Sequence, residues 1–173
     1  SIAAYYMLGF CESSTNLAKF CGLRYGMQDE MQGNFNEYFS KIRTKGFGQE
    51  AKRRIILGTY ARMAGYRDAY YLKALRVRAM IVEEFKRAFS KYDALITPSM
   101  PMLPPKFTEI SKLTPIQNYN VDIMTTAPNM AGMPTLSVPV GRINGLPVGM
   151  QIISDHFMEG KTLAIGAKVE EMK

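Results

Sequence analysis

The side chains that could catalyse a reaction or bind a metal are few and scattered in this sequence of 173 residues. It contains two cysteines, Cys11 and Cys21, and a single histidine, His156. A structural zinc site needs four such ligands, and a disulfide-stapled domain needs several cysteine pairs. We identify no Asp–His–Ser triad context for His156, because a triad is recognised by the spatial roles of its members and not by their order along the chain. We therefore predict no metal site, two reduced structural thiols in a cytoplasmic protein, and a loop histidine without a catalytic role.

The charged side chains are distributed unevenly along the chain. Residues 1–92 contain 16 Lys and Arg against 8 Asp and Glu, a net charge of +8, whereas residues 93–173 carry a net charge of −1. The basic half could therefore bind a phosphate-bearing partner. Solvated helix faces are the ordinary alternative explanation for such charge.

Two short apolar runs near the C-terminus predict paired strands. Thr135–Val140 and Val148–Ile153 are each bracketed by Gly and Pro, which favours two adjacent buried strands joined by a tight connection. Neither run carries a nucleophile together with a base. We therefore expect this part of the chain to have no reaction chemistry of its own.

Helical patterns dominate the first half and position its cationic side chains. The predicted helices are Ile2–Phe10, a helix capped by Asn34 and Glu37 that runs through Arg43, and a helix from Gln49 that Gly58 and Gly65 interrupt. A longer amphipathic helix ending near Tyr92 is predicted from an apolar stripe at helical spacing, namely Leu72, Leu75, Ala79, Val82, Phe85 and Phe89.

The second half alternates strand patterns with loops. Ala94–Thr97 is strand-like, and the four prolines of residues 98–105 favour a rigid connector over a polyproline ligand. A short helix over Asn118–Thr126, stopped by Pro128, and a closing helix over Met158–Glu171 complete the prediction. The expected class is α/β, with helices covering a mixed β-sheet. Three strands are too few for that sheet, so we expect it to extend into sequence outside this chain, which begins abruptly at Ser1.

Several motifs resemble the amidase-signature family. The tail motifs are Pro128-Asn-Met-Ala-Gly-Met-Pro134, Ser137-Val-Pro139 and Gly145-Leu-Pro-Val-Gly-Met-Gln151. Blocks resembling the glutaminase (A-type) subunits of the aspartyl/glutamyl-tRNA(Asn/Gln) amidotransferases are Ala4-Tyr-Tyr6, Glu12-Ser-Ser-Thr-Asn-Leu17, Gly46-Phe-Gly48, Lys52-Arg-Arg-Ile55, Leu57-Gly-Thr-Tyr60 and Asp68-Ala-Tyr-Tyr71. The resemblance implies an amidase-signature fold of which residues 1–173 are the C-terminal portion. Within it, residues 1–92 would be mainly helical and basic, and residues 93–173 would hold the strands, the Pro-rich loop and the closing helix.

The resemblance also implies where the chemistry resides. The family's Ser–cis-Ser–Lys catalysts belong to an N-terminal half that precedes the matched region, so no catalytic residue is assigned to this chain. Three positions match residues that bind the glutamine donor: Tyr5 lines the pocket, Arg54 pairs with the α-carboxylate, and Asp122 faces the α-amino group. A zwitterion needs one fixed cation and one fixed anion, which Arg and Asp supply. The alternatives are a solvated helix charge for Arg54, helix stabilisation for Asp122, and core packing for Tyr5.

The function that the resemblance implies is that of a tRNA-dependent amidotransferase. The glutaminase subunit would release ammonia from glutamine for the conversion of misacylated Glu-tRNA(Gln) or Asp-tRNA(Asn). That conversion would take place on the B-type subunit, where ATP and magnesium would bind, and a small C-type subunit would complete a heterotrimer. This chain itself would need no cofactor and no membrane. Two other functions remain open: a stand-alone amidase acting on small amides, and a basic helical module that binds nucleic acid through residues 1–92.

Overall fold

A computed structural model describes residues 1–172 of the chain. The α-helices are α1 (Ile2–Asn16), α2 (Phe35–Gly46), α3 (Gln49–Arg62), α4 (Lys73–Phe89), α5 (Phe107–Ile110), α6 (Pro115–Asn120), α7 (Ile123–Ala131) and α8 (Glu159–Glu171). A 3₁₀-helix (Leu17–Lys19) follows α1, and a π-helix (Asp68–Leu72) precedes α4. The strands are β1 (Leu95–Pro98), β2 (Thr135–Ile143) and β3 (Leu146–Ile153). The chain divides into two units, one comprising Tyr6–Leu75 and the other Ser1–Tyr5 with Arg76–Lys173.

The unit Tyr6–Leu75 is helical. Helix α2 begins with the predicted capping box, in which the Asn34 side chain accepts a hydrogen bond from the Glu37 backbone N–H and the Glu37 carboxylate accepts one from the Asn34 N–H. Arg43 connects the 3₁₀-helix that follows α1 to α2, because its guanidinium donates to the Leu17 carbonyl oxygen at 2.9 Å. Burial lowers the pKa of Arg43, which indicates that this guanidinium is partly withdrawn from water.

The predicted interruption at Gly58 is wrong, since α3 continues through it to Arg62. A β-carbon at Gly58 would lie 1.8 Å from the carbonyl oxygen of Phe10. The glycine therefore permits close approach of the α1 and α3 backbones and does not end the helix. Helix α1 also extends past the predicted Phe10 to Asn16.

The sheet of the second unit has the strand order β1-β3-β2. Strands β2 and β3 are adjacent, as predicted, and the turn between them places Asn144 at φ 52° and Gly145 at φ 79°. Positive φ at both turn residues is typical of a two-residue hairpin. Both strand pairs are antiparallel, so the predicted mixed sheet is not seen among the strands of residues 1–172. The prediction that β2 is buried is also wrong, because Val138 is its one buried residue.

Helices cover parts of both faces of this sheet. On one face, α8 packs against β2, where Gly166 allows the Leu136 side chain to approach closely. On the other face, Ala131, Met133 and Ile153 form a buried cluster. Five partly buried hydrophobic residues pack on that cluster: Val82, Phe85 and Phe89 of the predicted α4 stripe, together with Ile81 and Leu95.

The helix predicted over Asn118–Thr126 is in fact two helices, α6 and α7, and Pro128 lies inside α7. Proline has no backbone N–H, so the Met124 carbonyl oxygen one turn earlier lacks its usual helical donor. The side-chain amide of Gln151 on β3 replaces that donor, with Nε2 at 3.0 Å from the Met124 oxygen. Helix α7 therefore continues to Ala131, where Gly132 adopts a left-handed conformation at φ 76° and ends it.

No helix among residues 1–172 combines the length and the apolar character required to cross a bilayer.

Candidate functional site

Arg54 lies in the middle of α3, and its guanidinium is held by neighbouring side chains. Its Nε donates to the Glu50 carboxylate at 3.0 Å, an i,i+4 ion pair. Its Cζ also lies 6.0 Å from the ring centroid of Tyr6, which is buried in the same unit. The Arg54 side chain remains 39% exposed, so the ion pair adds at most about 0.5 kcal/mol to stability. These contacts orient the guanidinium without burying it.

Arg53 forms a useful comparison with Arg54. It contacts the other oxygen of Glu50, and its exposed fraction of 41% is close to the 39% of Arg54. Successive helical residues point about 100° apart, so the two guanidinium groups approach Glu50 from different sides of α3. The ring contact with Tyr6 belongs to Arg54.

Asp122 occupies the residue immediately before α7. Its backbone carbonyl accepts hydrogen bonds from the N–H groups of Thr125 at 3.0 Å and Thr126 at 3.1 Å. The positive end of a helix dipole favours a carboxylate at this position. The Asp122 carboxylate could therefore stabilise α7, which is the structural alternative. It could equally offer a negative charge to a ligand at the start of α7.

Tyr5 lies in the first turns of α1 and is half-buried. Its backbone N–H donates to the Ser1 carbonyl oxygen at 2.9 Å, and the Ser1 hydroxyl lies 3.3 Å from the Thr126 hydroxyl. This contact joins the start of α1 to the first turn of α7. Tyr5 and Asp122 are therefore each about one helical turn away from the same hydrogen bond.

The three predicted site residues are divided between the two units. Tyr5 and Asp122 belong to the unit that contains the sheet, and Arg54 belongs to Tyr6–Leu75. The contact of Ser1 with Thr126 links the segment that carries Tyr5 to the segment that carries Asp122. The two charged ends of the predicted clamp lie on separate units.

A cavity next to Asp122 was not predicted from the sequence. It has a volume of about 520 Å³ and lies in the sheet-containing unit. Its walls are largely apolar and come from the Pro-rich loop, the residue before Asp122 and the hairpin: Met100, Pro101, Met102, Leu103, Pro104, Pro105, Val121, Ile143, Pro147, Val148 and Gly149. The Pro-rich loop, which was predicted to be a rigid connector, therefore also forms part of the cavity wall.

Two serine hydroxyls meet beside Gly149, one of the residues that line this cavity. Ser99 follows β1 and Ser137 lies in β2, and their Oγ atoms are 2.5 Å apart across Gly149 of β3. A serine needs a neighbouring base to become a nucleophile. In residues 1–172 no lysine or histidine hydrogen-bonds to either hydroxyl. The signal that sequence reasoning missed is Gly149, whose missing side chain leaves room for both hydroxyls.

The remaining reactive side chains have structural surroundings. Cys11 and Cys21 are both free thiols, and burial raises the pKa of Cys11, which disfavours the reactive thiolate. His156 lies in the loop before α8, with Nε2 at 2.9 Å from the Ala131 carbonyl oxygen at the end of α7. No group of three or more His, Cys, Asp or Glu within residues 1–172 is arranged to hold a metal ion.

Comparison with known proteins places these elements in a family. A family model described as Amidase matches residues 1–163. The A-type subunit of glutamyl-tRNA(Gln) amidotransferase from Archaeoglobus fulgidus is 48% identical over 171 residues, which cover 99% of this chain and 37% of that protein. The chain thus spans about a third of the length of the curated relatives it matches.

Solved structures show the same relationship. The crystal structure of the A-type glutamyl-tRNA(Gln) amidotransferase subunit from Thermotoga maritima is 34% identical, with a TM-score of 0.54 over 90% of this chain and 37% of that one. A protein from a vestigial complex linked to the origins of an s-triazine catabolic enzyme is 21% identical, with a TM-score of 0.71 over 99% of this chain and 34% of that one. The second likeness bears on the fold alone. Together these matches confirm the predicted fold.

Proposed function

The chain belongs to the amidase family, as its motifs predicted, and from this premise we propose that it is the C-terminal part of the glutaminase subunit of a tRNA-dependent amidotransferase. The observation that carries the proposal is the 48% identity to an amidotransferase subunit of the A type along 99% of the chain. Residues 1–173 would form one portion of a single amidase-signature domain. The whole subunit would hydrolyse glutamine and supply ammonia for the conversion of misacylated Glu-tRNA(Gln) or Asp-tRNA(Asn).

The contribution of this chain would be to bind the glutamine donor. Arg54 would pair with the α-carboxylate through its planar guanidinium, and Asp122 would accept hydrogen bonds from the α-ammonium group. The contacts of Arg54 with Glu50 and Tyr6 support this role, because an oriented guanidinium loses less freedom when a carboxylate binds. Tyr5, on a segment linked to that of Asp122 by the contact of Ser1 with Thr126, would form part of the pocket wall. Holding both the α-carboxylate and the α-ammonium group of glutamine in place would direct its side-chain amide towards the nucleophile.

The nucleophile itself would come from the N-terminal half of the subunit, as a Ser–cis-Ser–Lys arrangement. Ser99 and Ser137 form a close hydroxyl pair, but within residues 1–172 no lysine hydrogen-bonds to either hydroxyl to act as a base. We therefore expect the isolated chain to bind the donor weakly or not at all and to hydrolyse no glutamine.

The partners proposed for the whole protein follow from the same relationship. The B-type subunit would bind the misacylated tRNA together with ATP and magnesium, and the small C-type subunit would complete the heterotrimer. The complex would act in the cytoplasm as a carbon–nitrogen ligase of protein biosynthesis. None of these cofactors is proposed for a site within this chain.

A stand-alone amidase is the second candidate, and the cavity beside Asp122 is the observation that favours it. Its largely apolar lining would suit the hydrocarbon part of a small amide better than a zwitterion. The opposite charges of Arg54 and Asp122 favour an amino acid donor instead.

The two candidates are separated by the kinetics of the full-length protein with its partner subunits. In Arg54→Ala, we expect the KM for glutamine to rise between tenfold and a hundredfold, since a charge-assisted hydrogen bond contributes about 1.5–3 kcal/mol. Arg53→Ala is the matched control, because Arg53 shares the helix, the exposure and the contact with Glu50. Equal effects of the two substitutions would contradict the assignment of Arg54. Faster hydrolysis of an uncharged amide than of glutamine would favour the stand-alone amidase.

A further inference from the structure

Three tyrosine rings cluster on the surface of the unit Tyr6–Leu75. Tyr60 lies near the end of α3, Tyr66 in the following turn, and Tyr70 in the π-helix. The ring centroid of Tyr60 is 4.3 Å from that of Tyr66 and 5.9 Å from that of Tyr70. The residues remain 41%, 41% and 39% exposed, respectively. The cluster therefore presents aromatic surface to solvent and is not part of a core.

The π-helix is what brings Tyr70 to the cluster. The N–H of Leu72 donates to the Arg67 carbonyl oxygen, five residues earlier, and the N–H of Tyr70 donates to the Tyr66 carbonyl oxygen. A π-helical turn is rare and commonly occurs at functional sites. The ring centroids of Tyr66 and Tyr70 also lie 6.4 Å apart, so each ring of the cluster neighbours both others. The three phenol rings thus form one continuous aromatic surface, the tyrosine platform.

The charges around the platform are mostly positive. Residues 60–73 contain Arg62, Arg67 and Lys73 against a single acidic residue, Asp68. Among residues 1–172, none of these three cations forms a salt bridge. Arg67 instead lies over the ring of Tyr71, at 5.9 Å from its centroid. Their charge is therefore available to a negatively charged ligand.

We propose that Tyr60, Tyr66 and Tyr70, with Arg67 and Lys73, form a binding surface for single-stranded nucleic acid. Unpaired bases stack on exposed aromatic rings, and cations beside the rings neutralise the phosphates that connect the bases. A duplex offers phosphates but keeps its bases stacked internally, so it would use the cations alone. The proposal does not depend on the proposed donor site, since none of its residues belongs to that site.

The test is the binding of fluorescently labelled oligonucleotides of about 12 nucleotides to the purified chain, measured by anisotropy at several salt concentrations. Circular dichroism first establishes that each variant retains its helical content. We expect RNA or DNA single strands to bind more tightly than the duplex, and a difference between the RNA and DNA arms identifies the preferred sugar. Tyr70→Ala should weaken single-strand binding by about tenfold, whereas Tyr70→Phe, which keeps the ring, should bind like the unmodified chain. Tyr25→Ala is the control, because Tyr25 is 55% exposed in the same unit.

The cations have a separate readout that does not require the rings to be changed. Arg67→Gln should reduce the slope of log affinity against log salt by about 0.7, the value for one phosphate contact on a single strand. Lys112→Gln, at an exposed lysine of the other unit, should leave the slope unchanged. Absence of saturable single-strand binding, equal binding of the duplex, or equal affinity of Tyr70→Ala would each overturn the proposal.

Discussion

Substitution of Gln151 tests how α7 tolerates a proline in its interior. The Gln151 residue is only 4% exposed, and its side chain donates to the Met124 carbonyl oxygen at 3.0 Å and to the Thr97 hydroxyl at 3.1 Å. Gln151→Met keeps the length of the side chain and removes both donors. At about 1 kcal/mol for each lost hydrogen bond, we expect the free energy of unfolding to fall by about 2 kcal/mol. Urea unfolding followed by circular dichroism measures this change as a lower midpoint with an unchanged slope.

A double-mutant cycle identifies the cause of that loss. Pro128→Ala supplies a backbone N–H that can donate to the Met124 carbonyl oxygen, so in this background Gln151→Met should cost only about 1 kcal/mol. Thr97→Val removes only the second hydrogen bond and should cost about 1 kcal/mol in either background. If Gln151→Met lowers the free energy of unfolding equally with and without Pro128→Ala, then Gln151 does not replace the donor that Pro128 lacks, and our explanation of α7 is refuted.

Three other substitutions test the unit Tyr6–Leu75. Gly58→Ala would place a β-carbon 1.8 Å from the Phe10 carbonyl oxygen and should cost more than about 3 kcal/mol in a thermal or urea melt, because backbone cannot give way cheaply. Gly9→Ala, which meets nothing within 4 Å, should instead stabilise its helix by about 0.5–1 kcal/mol, and equal effects would contradict the close approach of α1 and α3. Hydrogen bonding with Tyr66 raises the pKa of Tyr60 to about 12, so spectrophotometric titration of Tyr66→Phe should show one tyrosinate forming at lower pH. This folded-state pKa lies above the ordinary tyrosine value near 10. The protonated Tyr60 hydroxyl therefore contributes to folding stability below pH 10, and that contribution is lost as the pH rises from about 10 to 12.

Local patterns predicted the elements whose side chains interact within one segment. The capping box of Asn34 and Glu37 and the apolar stripe of α4 depend on residues three or four positions apart, and both were found. Gly58 and Pro128 were misinterpreted as helix breakers because their roles depend on distant residues, Phe10 and Gln151. Intrinsic propensity cannot reveal such a partner.

The candidate site shows the same limit. Residue chemistry and motif position led to the prediction of Arg54 and Asp122, since a zwitterion needs opposite fixed charges, and this assignment stays a prediction. Spacing along the chain could not predict that the segments carrying Tyr5 and Asp122 are linked, because the link is a contact between Ser1 and Thr126. Nor could it reveal the tyrosine platform, because a π-helical turn sets the direction of Tyr70.

The central claim is that Arg54 and Asp122 bind opposite ends of a glutamine donor. The most direct measurement compares glutamine with two analogues, one lacking the α-carboxylate and one lacking the α-amino group, in the full-length protein with its partners. We expect Arg54→Ala to lose its preference for glutamine over the first analogue and to keep its preference over the second. Asp122→Asn should show the reverse pattern, because each substitution removes the contact to one end only. Retention of both preferences by both variants, at unchanged KM for glutamine, would contradict the account.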